Sequence, residues 1–288
     1  MDENRVEELR TYWEGRVERE ATRERDHPGK RVHTDLLRRE IVRCIGGREG
    51  LAILDAGAGT GRFSLPLAQA GHRVVHLDIA PGMLAAAQEK AMQAGITGVT
   101  FTEGRIDDLS GFPDDSFDLV LCLDSPLSFC ADRCEAALRE LIRVARSTLV
   151  LCVINTFGVI AEGGINFDLK CFGRLKTAFD VYRTGTLEVT AELRAFVPTL
   201  MPSWKSFRPA EIRDLLEASG CSVTRLSAPG TLARFVEPEL LNRLQEDEAA
   251  YREFLDFADE YDADPDVLGI GAVRAGGLLV TAEKPSRF

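Results

Sequence analysis

The chain has no apolar run long enough to cross a bilayer, no low-complexity tract and no internal repeat. These absences exclude a helical membrane protein and a solenoid. Histidines number only four, at positions 27, 33, 72 and 76, so the choice of an imidazole base is narrow. The seven cysteines are odd in number and scattered, several inside apolar strand-like runs. That fits small buried thiols in a reducing cytoplasm better than a disulfide framework. Cys130 and Cys134 stand one helical turn apart, but no His or Cys pair completes a metal site, and no metal is expected. A basic face is missing too. Of the net charge of −11, the stretch from Glu237 to Asp266 supplies −10, with twelve acids against two arginines. Nothing is left that would track phosphates, which argues against a nucleic-acid partner. The opening MDENRVEELR is charged from its second residue, so no secretory signal is expected there.

What is present suits an elaborated globular domain: 288 residues, 45% hydrophobic and 28% charged. Its centre is Leu51 to Ala68, LAILDAGAGTGRFSLPLA. An apolar run into Asp55, glycines at 57, 59 and 61, and a helix-compatible stretch read as buried strand, tight turn and helix N-terminus. Beyond it the alternation is regular. Strands are expected at His72–Asp78, Val99–Phe101, Phe117–Leu123, Thr148–Ile154, Cys221–Leu226 and Gly276–Lys284. Helices are expected at Arg62–Ala70, Pro81–Ala94, Ala131–Arg146 and Pro209–Ser219. This pattern predicts an α/β fold with a doubly wound, seven-stranded, mostly parallel sheet.

Three segments lie outside that core. Residues 1–47 predict a helical cap, one helix to about residue 26 and a second from Thr34 to Cys44 after the break DHPGKR. Residues 155–206 contain period-two stretches around Thr184-Gly185, which predict an antiparallel β insert after the fifth strand. Eight of the chain's 21 aromatics fall between Phe157 and Phe207, consistent with a second small core or the wall of an apolar pocket. An acidic helix is expected near 237–263, packing through Leu240, Leu241, Leu244, Tyr251, Phe254, Leu255 and Phe257. The core comprises 48–154 and 207–288.

The glycine spacing decides between cofactors. A dinucleotide loop reads G-x-G-x-x-G, whereas here it is G-x-G-x-G with Asp55 two residues ahead. A carboxylate there repels a pyrophosphate and attracts a ligand with an ammonium and a sulfonium. Asp78, 23 residues on at the end of the second strand, is placed to accept both hydroxyls of a ribose.

On ILDAGAGTGRFSLPLA, VVHLDIAPGML, EGRIDDLSGFPDDSFDLVLCLDSPLS, ALRELIRVAR with TLVLCVI, and FRPAEIRDLLEASGCSV, the chain resembles the class I S-adenosylmethionine-dependent methyltransferases. The likeness covers a little over half the chain. It implies S-adenosyl-L-methionine as cofactor, bound by Asp55, Gly57, Gly59 and Gly61, by Asp78 at the ribose, and by Ile79 and Met83 at the adenine. Leu123 is added from the end of the fourth strand. Many members carry an Asp where this chain has Arg105, which cannot accept the adenine amino group, so Asp107 or the backbone at Ile106 is expected to do so. LDSPLS replaces the Asn-Pro-Pro-Tyr type motif, which argues against methylation of DNA bases or protein glutamine.

Methyl transfer from a sulfonium is an in-line displacement in which alignment carries much of the rate, and a base is needed only for a protonated nucleophile. Asp124 stands where this fold places residues beside the methyl group, with Ser128 nearby, and His33 of the cap is the imidazole candidate. These two, Asp124 and His33, are the expected catalytic residues. Arg174, Lys176 and Arg183 are candidates to bind an acidic substrate. The reading is a small-molecule methyltransferase, with the insert and cap forming the acceptor pocket. A non-catalytic binder of the same cofactor and, less favoured, an NAD-linked oxidoreductase are the alternatives.

Overall fold

The computed structural model describes residues 3–269 and 277–285. Strands β1 (Ala52–Ala56), β2 (Arg73–Asp78), β3 (Val99–Glu103), β4 (Phe117–Cys122) and β5 (Ala145–Val153) are the parallel part of the main sheet. The short pair β6 (Thr186–Leu187) and β7 (Trp204–Lys205) stands apart, and β8 (Ser222–Ser227) and β9 (Leu278–Glu283) complete the main sheet. Its order is β3-β2-β1-β4-β5-β9-β8, with β9 antiparallel to both neighbours. The expected seven-stranded, doubly wound sheet is present. The first residue of the expected last strand, Gly276, lies outside the described residues.

Burial explains why the central strands read as continuous apolar runs. Ile53, Leu54, Leu119, Val120, Leu121, Leu149, Val150 and Leu151 are fully buried, because helices cover both faces of the sheet. The strand order reverses between β1 and β4, so the loops after their carboxyl ends open a crevice there.

The cap is three helices: α1 (Glu3–Glu14), α2 (Val17–Asp26) and α3 (Pro28–Ile45). DHPGKR interrupts the helix for one residue only, since Pro28 takes the first position of α3, where a missing N–H costs nothing. Leu37 and Ile41 of α3 pack with Phe63, Leu67 and Leu119 on one face of the sheet. Toward the C-terminus the acidic helix is two helices, Pro238–Glu246 and Glu248–Tyr261, divided at Asp247, whose carboxylate caps the second. Tyr251 and Leu255 of the second pack with Val32 and Leu36.

The insert differs most from expectation. Its antiparallel pairing exists, but only as the two-residue strands β6 and β7. Most of the remainder is helical: Thr156–Val159, a π turn at Ile160–Gly164, Ile165–Phe172, Thr177–Thr184 and Ala191–Phe196. Thr184-Gly185 is a helix terminus, with Gly185 left-handed at φ 74°. The buried Asp168 carboxylate accepts bonds from the N–H groups of Lys176, Thr177 and Ala178 and so starts the helix Thr177–Thr184. The chain rejoins the core at Phe207, whose N–H donates to the Ile154 carbonyl at 2.8 Å.

Candidate functional site

The crevice at the strand reversal is a partly open cleft lined by residues of β1 and of the loops that follow β1 and β4. Asp55, Gly57, Gly59, Asp78, Ile79, Met83, Ile106, Leu123 and Asp124 all line it. Residues expected from four separate stretches of chain thus meet in one place.

The glycine loop is shaped by two contacts. A Cβ on Gly57 (φ 80°) would sit 2.4 Å from Pro126 Cγ, so only glycine fits against the loop after β4. Gly59 (φ 57°) faces open space. Gly61 does not line the cleft; a side chain there would strike Leu65 at 2.8 Å, so it serves helix packing behind the loop.

Asp55, at the carboxyl end of β1, is 1% exposed, and its Oδ2 has no hydrogen-bond partner. Burial pushes its carboxyl up to about 7, against the lowering effect of a bond from the Ser64 backbone. Asp78, at the end of β2, accepts from the N–H of Gly59 at 2.7 Å and of Ala80 at 2.9 Å. Burial raises its pKa also, the two backbone bonds opposing it. An orphaned carboxylate oxygen and a second carboxylate fixed by the loop fit a ligand that brings an ammonium at one end and a diol at the other.

Asp124 begins the loop after β4. It and Ser125 both adopt left-handed backbone, φ 60° and 77°, a cost of about 1–3 kcal/mol each that persists only where other contacts dictate it. Three partners supply them. Arg23 of α2 donates to Oδ1 at 3.1 Å, Arg62 of the glycine loop pairs with Oδ2, and His33 Nε2 lies 3.0 Å from Oδ1. Burial works to raise the Asp124 pKa, but Arg23 and Arg62 outweigh it and hold the carboxyl well below its usual range. A carboxylate so committed is a poor proton acceptor, which departs from the expected base role and leaves Asp124 as the anchor of the two guanidinium groups.

His33 does not reach the cleft. It is fully buried, with Nδ1 3.2 Å from the Pro229 carbonyl and Nε2 on Asp124, and burial lowers its pKa. Asp107 is also turned away from the expected adenine contact. Its carboxylate is paired with Arg105 at 3.0 Å through both oxygens, while Arg105 and Ile106 line the cleft instead. Ser128 is spent on the Ile154 N–H at 2.9 Å. His76 bonds Ser64 Oγ at 2.7 Å inside the core, and burial lowers its pKa to about 4. Lys176 and Arg183 lie over Phe172 and Phe179 of the insert, and Arg174 is exposed. Among the described residues no cluster of three or more metal-ligating side chains exists.

The cleft also contains residues that sequence reasoning did not single out: Arg23, Arg62, Leu9, Trp13 and Phe129. Arg62 had a signal, its place directly after the third loop glycine. Arg23 had none, since its partner Asp124 is 101 residues away. Leu9 and Trp13 had only the apolar stripe of α1, which runs between the cleft and the insert. Arg5 bonds the carbonyls of Phe129 and Ser203, and Glu8 pairs with Arg194.

A family profile described as a methyltransferase domain matches residues 53–148. Over 196 residues the chain is 33% identical to the malonyl-[acyl-carrier protein] O-methyltransferase of Serratia marcescens, covering 62% of this chain and 72% of that one. Over 169 residues it is 31% identical to a ubiquinone/menaquinone biosynthesis C-methyltransferase of Vibrio vulnificus, 56% of this chain and 58% of the relative. The fold superposes on the magnesium protoporphyrin IX methyltransferase of Synechocystis PCC 6803, solved with bound SAH, with a TM-score of 0.54 at 20% identity, covering 89% of this chain and 86% of that one. At 34% identity the chain spans about half the length of the curated mycobacterial relatives it matches, 50%. The Serratia relative, matched over more than two thirds of its length, and the domain match on the glycine-loop core place the chain in a family: it belongs to the class I S-adenosylmethionine-dependent methyltransferases.

Proposed function

We propose that this protein transfers the methyl group of S-adenosylmethionine to a small-molecule acceptor by in-line displacement. The observation that carries the reading is the buried, unpartnered Oδ2 of Asp55 in the same cleft as Asp78. Asp55 would hold the ammonium of the donor, Asp78 the ribose hydroxyls, and Ile79, Met83 and Ile106 the adenine. Arg23 and Arg62 put two guanidinium groups on the wall, a match for the donor's carboxylate. When bound, the donor supplies an activated methyl group on sulfur.

The protein's part is alignment and exclusion of water. The ion pairs of Arg23 and Arg62 with Asp124 join the cap to the core, and Leu9, Trp13 and Phe129 give the cleft an apolar side. No base is assigned, because Asp124 is held ionised and His33 is buried behind it, outside the cleft lining. The acceptor is therefore one whose nucleophile is ionised, neutral with a free lone pair, or able to lose its proton to water. Residues 155–206, with α1, would form the acceptor side, since a second cavity lies between them.

Incubation with methyl-labelled S-adenosylmethionine and pooled small-molecule extracts tests the reading. Label appearing in an extractable product, with one equivalent of S-adenosylhomocysteine per transfer, is the expected result. Tight donor binding with no S-adenosylhomocysteine formed from any pool would favour a non-catalytic binder.

A further inference from the structure

A second, partly open cavity lies between α1 and the insert and shares no lining residue with the first. We infer that this cavity seats the body of the methyl acceptor, and that the acceptor is an apolar ring or chain carrying a carbonyl-type oxygen bonded to the indole N–H of Trp204. The inference rests on the methyltransferase reading and adds the substrate class to it.

Val159, Ile160, Phe167, Val181, Leu187 and Leu200 make the wall apolar. Trp204 is 4% exposed, yet its Nε1 has no hydrogen-bond partner. An unpaired buried donor has lost its hydration with nothing in return, a penalty that a ligand oxygen removes. The indole is buried in a cluster with Val181, Leu187 and Leu193, and its backbone stands in register opposite Leu187 in the β6–β7 pair. Among the described lining residues there is no carboxylate, and the single charge is Arg16, whose guanidinium lies 3.4 Å over the Tyr12 ring. Donors without a counter-anion select oxygen and disfavour a protonated amine.

The cavity also stands where an acceptor must stand. One face of α1 serves both spaces, with Leu9 and Trp13 in the donor cleft and Tyr12 and Arg16 in the second cavity. Edge contacts link Tyr12 to Trp13 and Trp13 to Phe129, at centroid distances of 5.1 and 5.3 Å. This row of rings separates the two spaces, and an acceptor seated in the second would have to extend its reacting atom past it to the donor cleft.

Trp13 and Trp204 are the chain's two tryptophans, so the two indole N–H signals in a ¹H–¹⁵N spectrum report one space each. Trp204→Phe assigns them by deleting one. Titration with 2-acetonaphthone is expected to move the Trp204 signal downfield, and 2-naphthylmethylamine to leave it in place. Trp204→Phe should weaken ketone binding about fivefold, the worth of one neutral hydrogen bond. Ala178→Leu, which fills the cavity while leaving Trp204 in place, should abolish binding. Both variants should bind S-adenosylhomocysteine as the parent does. A Trp204 signal unmoved by millimolar ketone, or equal affinity for the amine, overturns the inference. S-adenosylhomocysteine should move the Trp13 signal; if it does not while the ketone still moves Trp204, the donor reading fails and the cavity remains a binding site.

Discussion

The imidazole of His33 lies 3.0 Å from the carboxylate of Asp124, so a buried residue of the cap is bonded directly to the first of the two left-handed residues in the turn after β4. Arg23 and Arg62 complete the grip on the same carboxylate. The donor cleft is therefore closed on one side by an electrostatic joint, and the cap's position depends on Asp124.

Asp124→Asn tests that joint. Removing the Asp124 charge leaves Arg23 with Glu20, and Arg62 with Glu20 and Glu24. The network is therefore weakened rather than broken, at a cost on the order of 2 kcal/mol, that of lost bonds to a charged group. A urea midpoint reports the loss, and a change under about 0.5 kcal/mol would show the joint to be incidental. The pH sign follows from a depressed pKa. The Asp124 contribution is complete above about pH 4, the unfolded value, and is lost as acid takes the pH down through the folded pKa. The variant should lose less stability than the parent over that acid range, since Asp107, Glu140 and Asp168, whose pKa values are also lowered, titrate in both.

Asp55 titrates in the opposite sense. In the free protein burial holds its pKa near 7, and an ammonium beside it lowers that value by favouring the carboxylate. Binding at acid pH must then release a proton, while above the raised pKa there is none to release. Affinity for S-adenosylhomocysteine should fall about tenfold from pH 8 to pH 6, with proton release visible as buffer-dependent heat. Asp55→Asn should remove the pH dependence. A parent affinity constant across this range would mean that Asp55 does not meet the ammonium.

The loop glycines separate folding from binding. Gly57→Ala places a methyl against Pro126 at 2.4 Å, and a loss of about 2 kcal/mol or more in thermal or urea stability is expected. Gly59→Ala meets nothing in the free protein, so only the left-handed backbone is penalised, about 1 kcal/mol. Its methyl enters the cleft and should cost at least tenfold in cofactor affinity. Equal stability of the two variants would contradict the packing role given to Pro126.

Asp78→Ala is expected to weaken cofactor binding by tenfold or more, about 1.4 kcal/mol, measured by calorimetry on a variant shown to be folded. Unchanged affinity would remove the ribose assignment. The fold check matters because Asp78 also holds the Gly59 and Ala80 N–H groups.

Strands β1 to β5 and the cleft residues between Asp55 and Leu123 were legible because their signals are local. Apolar runs, turn glycines and an acid at a strand end all act within a few residues. The cap's contribution was not legible, since the pairing of Arg23 with Asp124 joins positions 101 apart and leaves no trace in either neighbourhood. Asp107 was misplaced for a related reason, because a nearby cation, Arg105, claimed its carboxylate. In the insert, Thr184-Gly185 has the composition of a hairpin turn and of a helix end alike, and left-handed glycine serves both. The aromatic enrichment there did mark a cavity, but only Phe167 and Trp204 of those eight residues line it. Phe207 went to the core, and Phe179, Tyr182 and Phe196 remain exposed.

The central claim is that the cleft at the Asp55 loop is built for a cationic amino-acid nucleoside. Calorimetric titration of the full chain with S-adenosylmethionine, S-adenosylhomocysteine and NAD tests it most directly. The account predicts saturable one-site binding of the first two and no heat with NAD. Absence of binding by both sulfur nucleosides, or preferential binding of NAD, would contradict it.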